Sequence, residues 1–190
     1  MGKASSKLSP EVLDELSKKT RFDKKELQLW HRGFLKDCPR GSLDKKDFQK
    51  IFKQYFPFGD SSKYAGYVFR LMDLDGNGEL DFVEFMTALS VSARGDIEDR
   101  LSWSFALYDL DEDGYIGEAE MLCIVDSIYR MIGTTDGLQP NELMPEQRVA
   151  NVFATMDLDH DGRLSYEEFK QGSKLDPSIV AAMDLYSGLI

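Results

Sequence analysis

Three twelve-residue stretches repeat one pattern, and that pattern leaves the backbone few options. They are 73–84 (DLDGNGELDFVE), 109–120 (DLDEDGYIGEAE) and 157–168 (DLDHDGRLSYEE). Each has an acid or amide at positions 1, 3 and 5, Gly at 6, an apolar residue at 8 and Glu at 12. Gly78, Gly114 and Gly162 permit a sharp turn that a side chain would resist. Between them the stretches hold 16 carboxylates, five, six and five. Packing so much like charge together without a cation is electrostatically costly.

A hard divalent cation answers both the charge and the spacing. Ca²⁺ takes six to eight oxygens at about 2.3–2.6 Å. Asp73, Asp75 and Asn77 supply side-chain oxygens in the first stretch, as do Asp109, Asp111 and Asp113 in the second and Asp157, Asp159 and Asp161 in the third. Position 7 offers its carbonyl, so Glu79, Tyr115 and Arg163 are free to differ. Position 9 often works through water, which tolerates Asp81, Gly117 and Ser165. Glu84, Glu120 and Glu168 close each site with both carboxylate oxygens. This is the loop of an EF-hand. Mg²⁺ is a candidate for some of these sites when calcium is scarce.

The flanks predict helices. Val149, Val152, Phe153 and Met156 fall on one helical face before the third loop, and Leu101, Phe105 and Tyr108 do so before the second. Phe82, Phe85, Met86 and Leu89 continue the pattern after the first. Leu80, Ile116 and Leu164 at position 8 are expected in short antiparallel strands that join loops in twos. A fourth unit is legible but broken. Placing Gly41 at position 6 starts a loop at Lys36, with Cys38 at 3, Arg40 at 5, Leu43 at 8 and Asp47 at 12. Cations stand where carboxylates belong and a soft thiol stands in a hard-ion site, so no calcium is expected at 36–47. Its helices, marked by Leu27 and Ile51, survive as a mate for the 73–84 loop.

The expected fold is therefore all-α, with four EF-hands in two pairs and short antiparallel pairing between loops. The divisions are an N-terminal arm and first helix at 1–23, one pair at 24–93, a second at 98–173 and a C-terminal helix or tail at 174–190. A Gly/Pro-marked insertion spans 133–145. The segment 92–95 between the pairs is too short for an extended linker, so the lobes should touch.

Formal charge is -11, which argues against general nucleic-acid binding because that needs a basic face. The two cysteines, Cys38 and Cys123, lie far apart with no CxxC, so a reducing compartment is the simpler reading. No apolar run approaches the length of a spanning helix, and the start has no apolar signal core. It does fit N-myristoylation, with Gly2 as acceptor, Ser6 at the required place and Lys3 and Lys7 adding charge. An ordinary polar N-terminus is the competing reading.

Aromatic residues crowd the first half. Most must pack the helices, but Trp30, Phe34, Phe48, Phe52, Tyr55 and Phe85 also suit a groove for an amphipathic partner helix. The apolar positions of 176–190 suggest a helix that fills or shapes that groove, against a frayed tail. No catalytic constellation is apparent: His31 lacks a nucleophile partner in sequence, His160 sits inside a loop, and Cys38 lies in no nucleophile motif.

The broken loop with Cys38 and Pro39, the segment KQYFPFGD at 53–60, the start Met-Gly-Lys and the end Gly188-Leu-Ile190 together resemble the neuronal calcium sensor family, frequenin-type branch. Three intact loops separate it from recoverin-like members. The resemblance implies a monomeric, myristoylated calcium sensor without catalytic activity. It implies cytoplasmic protein held peripherally on Golgi or plasma membrane by the lipid. It implies phosphatidylinositol 4-kinase, or another protein with an amphipathic target helix, as partner. Two other functions fit an EF-hand chain: a calcium buffer, which would expose no new apolar surface, and a fixed enzyme subunit like calcineurin B.

Overall fold

The computed structural model describes residues 8–133 and 144–175. Gly2, most of the insertion and the expected helix over 176–190 lie outside the described residues. Helix α1 (Pro10–Lys19) starts at Ser9, whose hydroxyl accepts from the Val12 N–H, with Pro10 where a missing N–H costs nothing. It buries Leu13 and Leu16 and packs on α2 (Lys24–Asp37) and α5 (Phe82–Arg94). Among the described residues no helix is long and apolar enough to cross a membrane.

The remaining elements alternate as the loops require. Strand β1 (Ser42–Asp44) leads into α3 (Lys45–Tyr55), and α4 (Ser62–Met72) into β2 (Glu79–Asp81) and α5. In the second half α6 (Ile97–Tyr108), β3 (Tyr115–Gly117) and α7 (Glu118–Ile132) are followed by α8 (Pro145–Met156), β4 (Arg163–Ser165) and α9 (Tyr166–Leu175). The sheets are two antiparallel pairs, β1 with β2 and β3 with β4. Leu43 faces Leu80 and Ile116 faces Leu164. All four side chains are buried. The position-8 residues thus seal the base of each lobe, and the pairing fixes the register of the broken loop.

The turn that closes each loop is also the start of the next helix. In 73–84 the Asp81 carboxylate accepts from the Glu84 N–H at 2.8 Å, and Glu84 Oε2 accepts from the Asp81 N–H at 3.0 Å. That reciprocal capping box satisfies two N–H groups the helix leaves open. Asp44 caps α3 with one half of that arrangement, its carboxylate accepting from the Asp47 N–H. A loop that lost its ion would still retain this helix start.

The lobes touch, and three joints between them stand out among the described residues. Arg21, between α1 and α2, pairs with Asp96 and Asp99 at the start of α6, at 2.9 and 2.6 Å. The segment before α4 docks on the end of α7, where the Asp60 N–H donates to the Arg130 carbonyl at 2.7 Å. A Cβ on Gly59 would lie 2.2 Å from that carbonyl oxygen and 2.3 Å from that of Met131, so only glycine fits. The third joint is Arg70, whose fork reaches the carbonyls of Ala106, Asp109 and Leu110.

Candidate metal loops and apolar groove

The three acidic loops share one hydrogen-bonded scaffold. In each, the position-1 carboxylate accepts from the N–H of the position-6 glycine: Gly78 to Asp73 at 2.9 Å, Gly114 to Asp109 at 3.1 Å and Gly162 to Asp157 at 3.0 Å. Positions 4 and 6 both take left-handed backbone. Gly76, Glu112 and His160 have φ of 67°, 61° and 60° at position 4, followed by the glycines at 82°, 87° and 81°. Oε1 of Glu84, Glu120 and Glu168 accepts from the N–H at position 2, from Leu74, Leu110 and Leu158 respectively. The glutamate therefore ties the helix leaving the loop to the end that enters it.

This folding brings positions 1, 3 and 12 together. Ligand oxygens of Asp73, Asp75 and Glu84 lie within 4.8 Å of one another, as do those of Asp109, Asp111 and Glu120 and of Asp157, Asp159 and Glu168. Position 5 stands slightly apart. Asp113 and Asp161 are not in those groups, and each accepts from the N–H two residues on. Asn77 accepts from the Glu79 N–H and donates to Asp75. Asp81 and Ser165 at position 9 are occupied in capping, consistent with an indirect role. Glu79, Tyr115 and Arg163 begin their strands, with the Arg163 guanidinium over the Tyr115 ring and 3.7 Å from Asp161.

The donor set fits a hard divalent cation. Every convergent ligand is oxygen, with no thiol or imidazole among them. Asp157 is buried, and its Oδ1 makes no hydrogen bond. A buried carboxylate oxygen left so is unfavourable unless a cation meets it. Burial pushes the Asp109 carboxyl up, and the charges of Glu120 and Asp113 push the same way, against N–H donors from Gly114 and Glu112. The Glu168 carboxyl is held low, first by the Ser165 hydroxyl.

The 36–47 loop has a different content. Among the described residues it forms no such acidic group. Arg40 at position 5 pairs with Asp47 at position 12 and Asp44 at position 9. Pro39 occupies position 4, where the other loops need positive φ that a proline ring forbids. Cys38 is buried and its thiol is pushed up to about 11, chiefly by that burial.

Above the first lobe lies an apolar groove of about 230 Å³. Trp30, Phe34, Phe48, Phe52, Tyr55 and Phe85 all line it. They do so unequally: Phe52 is 2% exposed and belongs to the floor, whereas Tyr55 is 50% exposed at the rim. Phe34 bridges two rings, with Phe82 and Phe85 each 5.5 Å away. Trp103, from α6 of the second lobe, also lines the groove and was not anticipated from sequence. Nor were Ile51 and Leu89, which helical spacing marks only as apolar, or Met72.

Comparison with known proteins places these features in context. Residues 98–174 match the family model described as an EF-hand domain pair, and residues 68–90 match one described as an EF hand. The chain is 51% identical to a protein of Lymnaea stagnalis named "Neuronal calcium sensor 1" over 185 residues, 97% of each chain. It is 49% identical to the protein of that name from Aplysia californica, again over 97% of each chain.

Proposed function

The chain belongs to the neuronal calcium sensor family, and on that premise we propose that three Ca²⁺ ions control access to the groove above its first lobe. That it is a calcium sensor follows from its relatives and its acidic loops. The ligands we assign are the side chains of Asp73, Asp75, Asn77 and Glu84, of Asp109, Asp111, Asp113 and Glu120, and of Asp157, Asp159, Asp161 and Glu168. The carbonyls of Glu79, Tyr115 and Arg163 complete the sets, with Asp81 acting through water. Mg²⁺ is assigned to some of these sites at low calcium. The observation that carries the reading is the shared scaffold, in which each position-12 glutamate joins the start of its loop to the helix that follows.

Bound calcium supplies neutralising charge, +6 for three ions, which takes the formal charge from -11 to -5. The protein supplies the lever. Glu84 lies in the first turn of α5, so a shift of its carboxylate moves that helix, and Phe85 and Leu89 on α5 line the groove. An amphipathic helix is the matching occupant of such a surface. The family resemblance favours phosphatidylinositol 4-kinase as its source. A myristoyl group on Gly2 would hold this monomer on Golgi or plasma membrane from the cytoplasmic side, weakly and reversibly, as one chain does.

Both tryptophans of the chain, Trp30 and Trp103, line the groove, so indole emission reports on it directly. Metal-stripped protein should change emission on adding calcium and again on adding an amphipathic peptide, the second change requiring the first. A calcium buffer would bind the ion with no peptide-dependent change.

A further inference from the structure

The groove and the acidic loops leave Arg70 unexplained, and its position is unusual. It lies in the last turn of α4, three residues before Asp73, which ends that helix and opens the first acidic loop. Its guanidinium, however, serves the other lobe. Nη1 donates to the Leu110 carbonyl at 2.7 Å, and Nη2 donates to those of Ala106 and Asp109, each at 3.2 Å. These carbonyls form the end of α6 and the entry to the 109–120 loop, with Asp109 ending the helix. Nη1 also lies 3.5 Å from Glu112. Nε is buried without a hydrogen bond, although the side chain as a whole is 31% exposed.

A planar fork of donors is suited to gathering several carbonyls at a helix C-terminus, where the partial charge is negative. Here one side chain fixes the backbone at position 1 of one loop from the helix that ends at position 1 of another. The docked glycine at Gly59 limits how far α4 can slide without carrying α7. We infer that Arg70 is a positioning residue for the 109–120 loop and couples its metal occupancy to that of the 73–84 loop across the lobe boundary. Movement of α4 on filling its own loop is passed through the guanidinium to the entry of the next. Coupling between the two sites is reciprocal, so each raises or lowers the other's affinity by the same factor.

This inference rests on the metal reading proposed above, and the test separates the two. The N–H groups of Gly78 and Gly114 donate to the position-1 carboxylates of their own loops, so their amide resonances report occupancy loop by loop. Calcium titration with and without Glu84→Gln gives the effect of the first loop on the second. In otherwise unmodified protein that change should shift the affinity at 109–120 by about fivefold or more, the lower end of usual couplings. With Arg70→Gln the shift should fall to within about twofold of none, and the 109–120 loop should bind more weakly. If Arg70→Gln loses its fold, Arg70→Lys keeps the charge without the fork and should reduce the shift. A shift unchanged by either substitution overturns the inference, as does an unmodified chain in which Glu84→Gln leaves 109–120 unaffected. Absence of calcium uptake at both loops overturns the metal reading along with it.

Discussion

The Arg40 guanidinium lies 2.9 Å from the carboxylate of Asp47, the residue that ends the 36–47 loop. In the other loops that last carboxylate converges with acids from positions 1 and 3. Here a side-chain cation from within the loop meets it instead, with Lys50 on its second oxygen at 2.8 Å. The broken unit thus carries its own positive charge and needs none from outside.

That arrangement predicts a small effect on stability and none on stoichiometry for Arg40→Gln. Arg40 is mostly exposed, and ion pairs at the surface contribute little because water screens them. Urea denaturation should show at most a slight fall in midpoint. The number of calcium equivalents should match the unmodified protein, because Lys36, Cys38 and Pro39 still deny the loop its ligands and its turn. An added equivalent would show that Arg40 alone had disabled it.

Gly59→Ala tests the joint between the lobes. The new methyl would have to displace the carbonyls of Arg130 and Met131, which are backbone and yield poorly. Overpacking of this kind costs about 1–3 kcal/mol, so the urea midpoint should fall accordingly. An unchanged midpoint would mean that the segment before α4 does not rest on α7 in solution.

His31 gives a dependence on pH. It is buried with its ring 4.8 Å from that of Phe82, and burial holds its pKa below the ordinary 6.5. The unfolded chain therefore binds a proton before the folded one does. Stability from the neutral imidazole is present above about pH 6.5 and is lost as pH falls through that value toward the folded pKa. Melting in chelator of wild type against His31→Leu should show the wild type losing ground between pH 7.5 and 5.5. Parallel curves would contradict the assignment.

How far the sequence could be read follows from the range of each interaction. The acidic loops were legible because one ion dictates residue type at fixed spacing, and the Leu43–Leu80 pairing because position 8 has a single role. Trp103 was not, since it reaches the groove from α6, far in sequence from Trp30. Arg70 reads as an ordinary surface cation on an amphipathic helix until α6 is placed beside it. Gly59 reads as a turn residue, and only the packed α7 shows why a methyl cannot stand there. The bridging role of Arg40 became visible once pairing of β1 with β2 fixed the loop in space.

The account depends most directly on what the loops do with calcium. Metal-stripped, folded protein titrated with calcium in a calorimeter should take up three equivalents. Glu84→Gln, Glu120→Gln and Glu168→Gln should each weaken one of them by about ten- to a hundredfold, as loss of a charge-assisted ligand predicts. A chain that takes up no calcium, or glutamate variants that leave every equivalent unchanged, would contradict it.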